Sequence, residues 1–400
     1  MREYESALAN LAAGLGANVA SGQTVVVNAK LGQETLARAL AVACYERGAH
    51  HVEVTYADPY LQRARLEHAP DEALGTVIPW VRERPAALAE MQGALIGLSG
   101  PSAPGLLDDL DPGRIGRDTV QLIEWVRVIA DKSVNWTIVP GPSEAWAKLL
   151  FPALDGEEAL GRLWEQIARV CRLDEPDPLS AWRQRAAELV RAARRLDAAG
   201  LDSLHFTGPG TDLRGGLLAG GHWEGGTFTT NWGREHLPNV PTEEVFTSPD
   251  PERTEGTVTS TKPLLVSGRV VKGLRVRFER GRAAAIDADE GADLLRELVA
   301  RDENGHRLGE VALVDGSGRI DELGTIFNDT LLDENAASHI ALGSGFAHLA
   351  DDESVAGQIN SSAVHTDFMI GGHNIRVTGT TRDGRELPVL IDGRWQLPYE

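Results

Sequence analysis

The feature that most constrains the fold is a strand–helix–strand pattern close to the amino terminus. Residues 24–28 are a short β-branched run, residues 32–47 carry apolar side chains at helical spacing, and residues 51–56 are a second strand-like run. This spacing predicts a βαβ unit, in which the two strands pair in parallel. Apolar runs at 94–98 and 136–139 predict further buried strands. The beginning of the chain is therefore predicted to be an open α/β layer.

The sequence pattern changes near residue 200, where glycine pairs, threonine and β-branched residues replace the helical patterns. Residues 258–278 are predicted to form several short strands, with turns at Ser267-Gly268 and Lys272-Gly273. One helical pattern, over residues 291–301, interrupts the strands. The second half is therefore predicted to be an α+β domain with a mainly antiparallel sheet.

The length of the chain also indicates more than one domain. Four hundred residues exceed what one hydrophobic core usually organises, which is ~150 residues. Two long helical patterns, at 157–171 and 179–199, precede the change in character. We therefore expect an α/β domain with a parallel sheet at 1–200 and an α+β catalytic, metal-binding domain at 201–400.

Composition excludes several classes of partner. Acidic residues outnumber basic ones 59 to 39, giving a formal net charge of −20. That balance argues against nucleic acid and against an anionic membrane surface, and it suits a pocket for metal ions or amines. Cys44 and Cys171 are too few for a disulfide framework, and neither a signal peptide nor an apolar run of ~18 residues is evident. We expect a cytoplasmic location.

The strongest local signal for chemistry is the segment at 362–370, which has the pattern of a strand. In a strand, residues two apart project from the same face, so His365 and Asp367 are predicted to point together. An imidazole beside a carboxylate suits a divalent cation of borderline softness. The alternative is a structural hydrogen bond between His365 and Asp367 on the sheet surface.

A second signal is the pair formed by Glu334 and His339. These residues are five apart, which does not place them on one face of a helix. They could converge if residues 333–335 form a turn that leads into a helix. The alternative is a capping turn followed by an exposed histidine.

Two further segments contribute carboxylates. Glu243 and Glu244 are adjacent and point in opposite directions in an extended chain, so one could bind a metal while the other acts as a general base. The alternative is one solvated and one structural glutamate. Glu310 begins a predicted strand at 309–314 and is, taken alone, an ordinary strand-edge residue.

Together, these segments supply a donor set for two metal ions. The carboxylates are Glu244, Glu310, Glu334 and Asp367, and the imidazoles are His339 and His365. Four negative charges balance two divalent cations, and a two-metal hydrolytic site activates a water for attack on an acyl carbon. Other chemistries fit less well, because the glycine patterns at 14–19 and 208–213 lack the third glycine of a dinucleotide site. No P-loop or G-x-S-x-G motif is present.

The motifs carrying these residues resemble the thermophilic metallo-aminopeptidase family, the aminopeptidase T and aminopeptidase S group. They are PTEEVFTSP (241–249), LGEVALV (308–314), DENAASHIALG (333–343) and VHTDFMIGG (364–372), with weaker likeness at 208–213, 386–389 and 393–395. The resemblance implies an α/β domain followed by a metal-binding domain, and a homodimer with an enclosed active site. It also implies removal of N-terminal residues, often large and apolar, from peptide substrates.

The resemblance also implies roles for individual residues. It implies two divalent metal ions, zinc or cobalt, with manganese or magnesium as alternatives. Their ligands would be Glu244, Glu310, Glu334, His339, His365 and Asp367. We choose Glu310 as the bridging carboxylate. The resemblance does not decide which of Glu243 and Glu244 binds metal, and the reasoning of one ligand beside one base assigns Glu244 to the metal and Glu243 to proton transfer.

One position departs from the family pattern. The family has a tyrosine seven residues after the ligand histidine, where this chain has Phe346. A phenyl ring cannot donate a hydrogen bond to a developing oxyanion, and loss of such a donor costs roughly 100- to 1000-fold in rate. The sequence therefore predicts an aminopeptidase with reduced activity. The alternative is a metal-binding relative that binds peptides without efficient turnover.

Overall fold

Residues 1–118, 123–266 and 269–397 are described in the structure, which is a computed structural model. The chain divides into two compact units, one of Met1–Ala186 with Thr227–Thr242 and one of Ala187–Gly226 with Glu243–Glu400. The domain boundary expected at residue 200 stays a prediction. The turn expected at Ser267-Gly268 lies outside the described residues.

Helices dominate the first half of the chain and strands the second. The described helices are α1 (Arg2–Leu11), which runs into a π-helix (Ala12–Gly16), α2 (Glu34–Glu46), α3 (Pro59–His68), α4 (Asp71–Leu74), α5 (Pro79–Glu90), α6 (Pro112–Asp118), α7 (Ile123–Ala130), α8 (Glu144–Leu150), α9 (Gly156–Val170), α10 (Pro178–Ala198), α11 (Ala292–Val299), α12 (Arg319–Glu322), α13 (Thr330–Glu334) and α14 (Glu353–Ala356), with a 3₁₀ turn at Ala347–Leu349. The described strands are β1 (Thr24–Lys30), β2 (His51–Ala57), β3 (Ala94–Ser99), β4 (Asn135–Pro140), β5 (Leu201–Gly208), β6 (Thr211–Leu217), β7 (Glu224–Gly225), β8 (Phe228–Thr229), β9 (Glu235–His236), β10 (Glu244–Thr247), β11 (Pro249–Thr259), β12 (Leu264–Val266), β13 (Arg269–Val271), β14 (Arg275–Glu279), β15 (Arg282–Asp287), β16 (Leu308–Val314), β17 (His339–Gly343), β18 (His365–Met369), β19 (Arg376–Thr381), β20 (Glu386–Ile391) and β21 (Arg394–Trp395).

The first unit is built on a parallel sheet of strand order β2–β1–β3–β4, as its βαβ pattern predicts. Three consecutive valines form the centre of β1. Val26 packs in a cluster with Leu88 of α5 and Val128 of α7. Val25 and Val27, which point to the opposite face, are completely buried as well. Both faces of the sheet are therefore covered, as is usual for parallel sheets.

The second unit contains two antiparallel sheets, in agreement with the predicted α+β half. One has eight strands in the order β15–β14–β11–β6–β5–β19–β20–β21, and the other has five in the order β18–β17–β16–β10–β7. Apolar side chains of the two sheets, among them Phe206, Phe278, Leu313 and Phe368, belong to one hydrophobic cluster. One face of the five-stranded sheet is thus fixed against the core, and its other face is available for a site.

Candidate metal centre

Five of the predicted ligands lie on one face of the five-stranded sheet. In an antiparallel sheet, residues directly opposite each other project to the same side. Glu244 lies opposite Val314, His339 opposite Ala312, and Ala341 opposite both Glu310 and Asp367. His365, two residues before Asp367, projects to the same side. The strand register therefore collects residues that are far apart in the sequence.

The alternation along these strands explains why the face is polar. The residues between the ligands are apolar and join the hydrophobic cluster of this unit: Val245, Val311, Ile340 and Phe368. Burial of these side chains holds the sheet against the core. Because successive side chains of a strand point to opposite faces, the carboxylates and imidazoles project from the other face of the sheet. A slip of one residue in any strand would bury the charged side chains in that core.

The first donor group consists of Glu244, Glu310 and His339, whose ligand atoms all lie within 4.8 Å of one another. His339 Nε2 is 3.0 Å from Glu244 Oε2 and 4.0 Å from Glu310 Oε1. His339 Nδ1 lies 3.1 Å from the carbonyl oxygen of Ala337 and can donate a hydrogen bond to it. That bond selects the tautomer in which Nε2 is free to bind a metal.

The second donor group consists of Glu310, His365 and Asp367. His365 Nε2 is 3.2 Å from Glu310 Oε2 and 3.5 Å from Asp367 Oδ1. His365 Nδ1 lies 2.8 Å from the carbonyl oxygen of Ser344, which orients this imidazole in the same way. Glu310 belongs to both groups and presents one carboxylate oxygen to each histidine.

Glu334 approaches the same site from the end of helix α13. Its half-buried carboxyl interacts electrostatically with Asp367, Glu244 and Glu310. It belongs to neither donor group of the described residues. The arrangement considered for bringing Glu334 and His339 together, a turn at 333–335 that leads into a helix, does not form, because helix α13 ends at Glu334 and the turn after it leads into strand β17, which begins at His339. The alternative of an exposed histidine is also wrong, since His339 is 1% exposed.

Glu243 directly precedes β10, and its side chain is completely buried. Its backbone N–H donates a 2.7 Å hydrogen bond to Asn335 Oδ1. Its side chain lies beside Gly318, where an added β-carbon would be 3.4 Å from Glu243 Cγ. Glu243 therefore neighbours Glu244 in the chain but is in neither donor group of the described residues.

Burial and mutual repulsion shift the ionisation of the site. Burial raises the pKa of Glu334 well above its usual value, and the charges of Asp367 and Glu244 raise it further. Burial also raises the pKa of Glu310. Burial alone would raise the pKa of Asp367. The charge of His365 and its hydrogen bond to Asp367 outweigh burial, so the pKa of Asp367 is lowered. These carboxylates are thus concentrated where water solvates them poorly, which favours the binding of cations.

The histidine pKa values report the same excess of negative charge. Burial lowers the pKa of His339, but the hydrogen bond to Glu244 and the charge of Glu310 outweigh burial and raise it well above the usual value. The pKa of His365 is raised in the same way, with Asp367 and Glu310 overcoming the effect of burial. In each case a positive charge at Nε2 is stabilised, and a metal ion could supply that charge instead.

The residues of the site fit a divalent metal ion. Asp367 Oδ1 is buried and makes no hydrogen bond with the described residues. An orphaned carboxylate oxygen in the interior is costly unless a cation or water satisfies it. Carboxylates combined with imidazoles are the donors that zinc and similar divalent metals accept.

A cleft of about 110 Å³ opens onto the site. Its polar wall includes Asp333, Glu334, His365 and Asp367, and its remaining lining includes Pro263, Leu264, Leu265, Asn328, Thr330 and Met369. A small ligand entering this cleft would meet carboxylates as well as apolar side chains.

Phe346 lies next to His365, one of the predicted metal ligands. Its ring centroid is 5.5 Å from that of His365 and 5.0 Å from that of Phe246, which projects from the same sheet face as Glu244. Its backbone N–H donates a 2.8 Å hydrogen bond to Ser248 Oγ. A hydroxyl on this ring would therefore lie near the site.

Sequence reasoning did not identify the groups that hold the ligands in place. The carbonyl oxygens of Ala337 and Ser344 are main-chain atoms and have no residue-type signal. Asn335 and Asp333 lie in the motif at 333–343, and their place beside Glu334 in that motif was the available signal. Asp333, which lines the cleft, accepts hydrogen bonds from the N–H groups of Phe327 and Asp329.

Comparison with known proteins agrees with this geometry. The family model for thermophilic metalloproteases (M29) matches residues 2–395. The chain belongs to the M29 family. Aminopeptidase T of Thermus thermophilus is 40% identical over 397 residues, covering 97% of each chain. Aminopeptidase 2 of Geobacillus stearothermophilus is 37% identical over 411 residues, covering 99% of each chain.

A solved structure extends the M29 assignment to the fold. Wild-type AmpT from Thermus thermophilus superposes with a TM-score of 0.91 at 40% identity, covering 98% of this chain and 99% of the other. The predicted family is confirmed, and the chain is a metal-dependent aminopeptidase, as the motifs predicted. No helix among the described residues is long and apolar enough to cross a membrane.

Proposed function

We propose that this M29 protein uses two divalent cations to hydrolyse the first peptide bond of peptides. The observation that carries the proposal is the shared carboxylate of Glu310. Its Oε1 is 4.0 Å from His339 Nε2 and its Oε2 is 3.2 Å from His365 Nε2. A carboxylate placed between two donor groups is typical of a bridging ligand in a two-metal site.

In this proposal each donor group would hold one cation, Glu310 would be the ligand that both groups share, and Glu334 would be a further ligand from helix α13. The cations, when bound, supply Lewis-acid chemistry that polarises the scissile carbonyl and acidifies water. Glu243 accepts and returns the proton of the attacking water. The carboxylates that line the cleft attract the ammonium group at the substrate's N-terminus. Pro263, Leu265 and Met369 offer apolar contact to the side chain of the substrate's first residue.

The test combines metal analysis with an assay. Protein purified without added metal is analysed for zinc, cobalt, manganese and magnesium, and leucyl peptides are then assayed with and without a chelator. We expect two cations per chain, release of the N-terminal residue, and loss of activity with chelator that zinc or cobalt restores. Cleavage that is insensitive to complete metal removal would contradict the proposal, as would one cation per fully active chain.

Phe346 supports a second candidate function, in which the protein binds peptides with reduced or no turnover. The ring of Phe346, which lacks the hydroxyl of the family tyrosine, has its centroid 5.5 Å from that of His365, a proposed ligand. Peptide binding measured by calorimetry on the metal-loaded protein separates the candidates. Tight binding with no released amino acid would favour the second, and turnover would favour the first.

Three further properties stay predictions of the family resemblance and composition. They are zinc or cobalt as the resident metal, assembly as a homodimer, and a cytoplasmic location. Metal analysis addresses the first, and sedimentation of the purified chain addresses the second.

A further inference from the structure

The proposed ligands come from the five-stranded sheet and from helix α13, and these two parts must be held in position relative to each other. Glu244 begins β10, a strand of the five-stranded sheet, whereas Glu334 ends α13, a helix of only five residues. So short a helix has little stability of its own, and its last carbonyl groups have no partners within the helix. Its position relative to the sheet must therefore be set by other contacts.

Asn335 provides such a contact between the two elements. It follows Glu334 directly and is 1% exposed. Its Oδ1 accepts a 2.7 Å hydrogen bond from the backbone N–H of Glu243, the residue before β10. Its Nδ2 donates a 2.9 Å hydrogen bond to the carbonyl oxygen of Leu331, within α13. One side chain thus links the main chain before Glu244 to the helix that ends in Glu334.

The chemistry of the amide makes this link specific. The backbone N–H of Glu243 needs an acceptor, and the carbonyl of Leu331 needs a donor, so the two partners fix the orientation of the amide. Aspartate lacks the donor, and an aliphatic residue of similar size lacks both groups. Loss of the link would leave two buried main-chain groups unsatisfied, and they would recover partners only if the segments moved.

We infer that Asn335 is a positioning residue of the metal centre, which fixes the distance between Glu334 and the ligands on the sheet. The inference rests on the proposed two-metal function. Groups that orient metal ligands typically change metal affinity 10- to 100-fold when they are removed. Substitution of Asn335 should therefore weaken cation binding beyond what a general loss of stability explains.

The test uses Asn335→Leu, with Asn335→Ala as a smaller substitution in case the first does not fold. Asn135→Leu is the matched control. Asn135 is also a completely buried asparagine, in strand β4 of the first unit, and its Oδ1 accepts a 2.9 Å hydrogen bond from Gln23. Co²⁺ is titrated into each metal-free protein, with calorimetry for affinity and visible absorption for the coordination of the ion.

We expect Asn335→Leu or Asn335→Ala to bind at least one Co²⁺ about tenfold or more weakly than wild type, with an altered absorption spectrum. Asn135→Leu should lose stability and keep both the affinity and the spectrum. Wild-type affinity and spectrum in a folded Asn335 variant would overturn the inference and leave the proposed function standing. Absence of Co²⁺ binding in wild type would overturn the proposed function, and the inference with it.

Discussion

At the residue scale, the same substitution at Glu243 and at Glu244 distinguishes the residue that binds metal from the residue that acts as the general base. The geometry places Glu244 in a donor group, 3.0 Å from His339 Nε2, and leaves Glu243 outside both groups. Glu244→Gln should therefore lower metal content, because a neutral amide is a weaker ligand than a carboxylate. Glu243→Gln should keep two cations and lower kcat about 100-fold or more, the loss typical of a missing general base.

Metal analysis and steady-state kinetics on the same preparations check both outcomes. Glu290→Gln is a suitable control, since Glu290 is an exposed partner of Lys272 in the same unit. Loss of metal in Glu243→Gln together with full metal content in Glu244→Gln would reverse the two assignments.

Phe346 supplies the second test at this scale. Its ring lies between Phe246 and the imidazole of His365, at centroid distances of 5.0 and 5.5 Å. Phe346→Tyr adds one hydroxyl to a ring already in place. If that hydroxyl reaches a developing oxyanion, kcat should rise by roughly 100-fold or more at unchanged metal content.

The result is checked by kcat for a leucyl substrate, normalised to bound metal. Phe246→Tyr is the control, because it places a hydroxyl on the neighbouring ring of the same aromatic pair. An unchanged kcat in Phe346→Tyr would remove the reason to expect reduced activity in wild type.

At the scale of elements, the chain segment that contains Phe346 is fastened to residues 220–222. The N–H of His222 donates to the carbonyl of Leu349 at 2.8 Å, and the N–H of Asp351 donates to that of Gly220 at 2.9 Å. His222 Nε2 also lies 2.5 Å from Asp351 Oδ1, and Asp197 is 3.8 Å from its other ring nitrogen. The contact between His222 and Asp351 thus ties this segment to the rest of the unit.

The stability of this contact should depend on pH. The hydrogen bond to Asp351 raises the pKa of His222 above its usual value, with the charge of Asp197 acting in the same direction against burial. A pKa raised by folding stabilises the folded state fully below the unfolded pKa of about 6.5, and this stabilisation is lost as pH rises through the folded pKa. His222→Gln should therefore destabilise the protein more at about pH 5.5 than at about pH 8.5.

Urea unfolding of wild type and His222→Gln across this range measures the difference. Asp351→Asn should show the same pH pattern, since it removes the other half of the pair. A difference in the free energy of unfolding that is constant with pH would show that His222 acts only through packing and its main-chain bonds.

The elements differ in how well the sequence predicts them. Strands β1 and β16 were predicted to within two residues, because β-branched and apolar runs bounded by turn signals identify buried strands. Strand β17 was not predicted, because all five of its residues, His339–Gly343, are buried and do not alternate between buried and exposed. The five-residue spacing between Glu334 and His339 matches no regular period, so the relative position of the two side chains depends on the turn between α13 and β17.

The ligand set could be predicted by residue type and motif, but its geometry could not. Glu244 and Asp367 share a sheet face only because β10, β16, β17 and β18 pair in a particular register. That register is decided by packing of the opposite face against the core, which is a property of the whole unit. The link through Asn335 was missed for the same reason, since its partners are main-chain atoms.

At the scale of the whole molecule, all the proposed ligands belong to the second unit. Burial raises the pKa of Glu334, and repulsion from the charges of Asp367 and Glu244 raises it further, so the site without cations concentrates negative charge at a cost. Bound cations should therefore stabilise the second unit, by about 2.7 kcal/mol when free metal is 100 times the dissociation constant. The parallel sheet of the first unit contains none of these residues.

Hydrogen exchange with mass spectrometry, with chelator or with Co²⁺, locates this effect. Co²⁺ should slow exchange in β10, β16, β17 and β18, whose amides lie in the ligand-bearing sheet, and should change β1–β4 little. In Glu244→Gln, which removes one carboxylate from the first donor group, the protection gained with Co²⁺ should shrink. Equal protection of both sheets would show that the metal acts on the stability of the entire chain. Protection confined to β1–β4 would contradict the position of the metal centre.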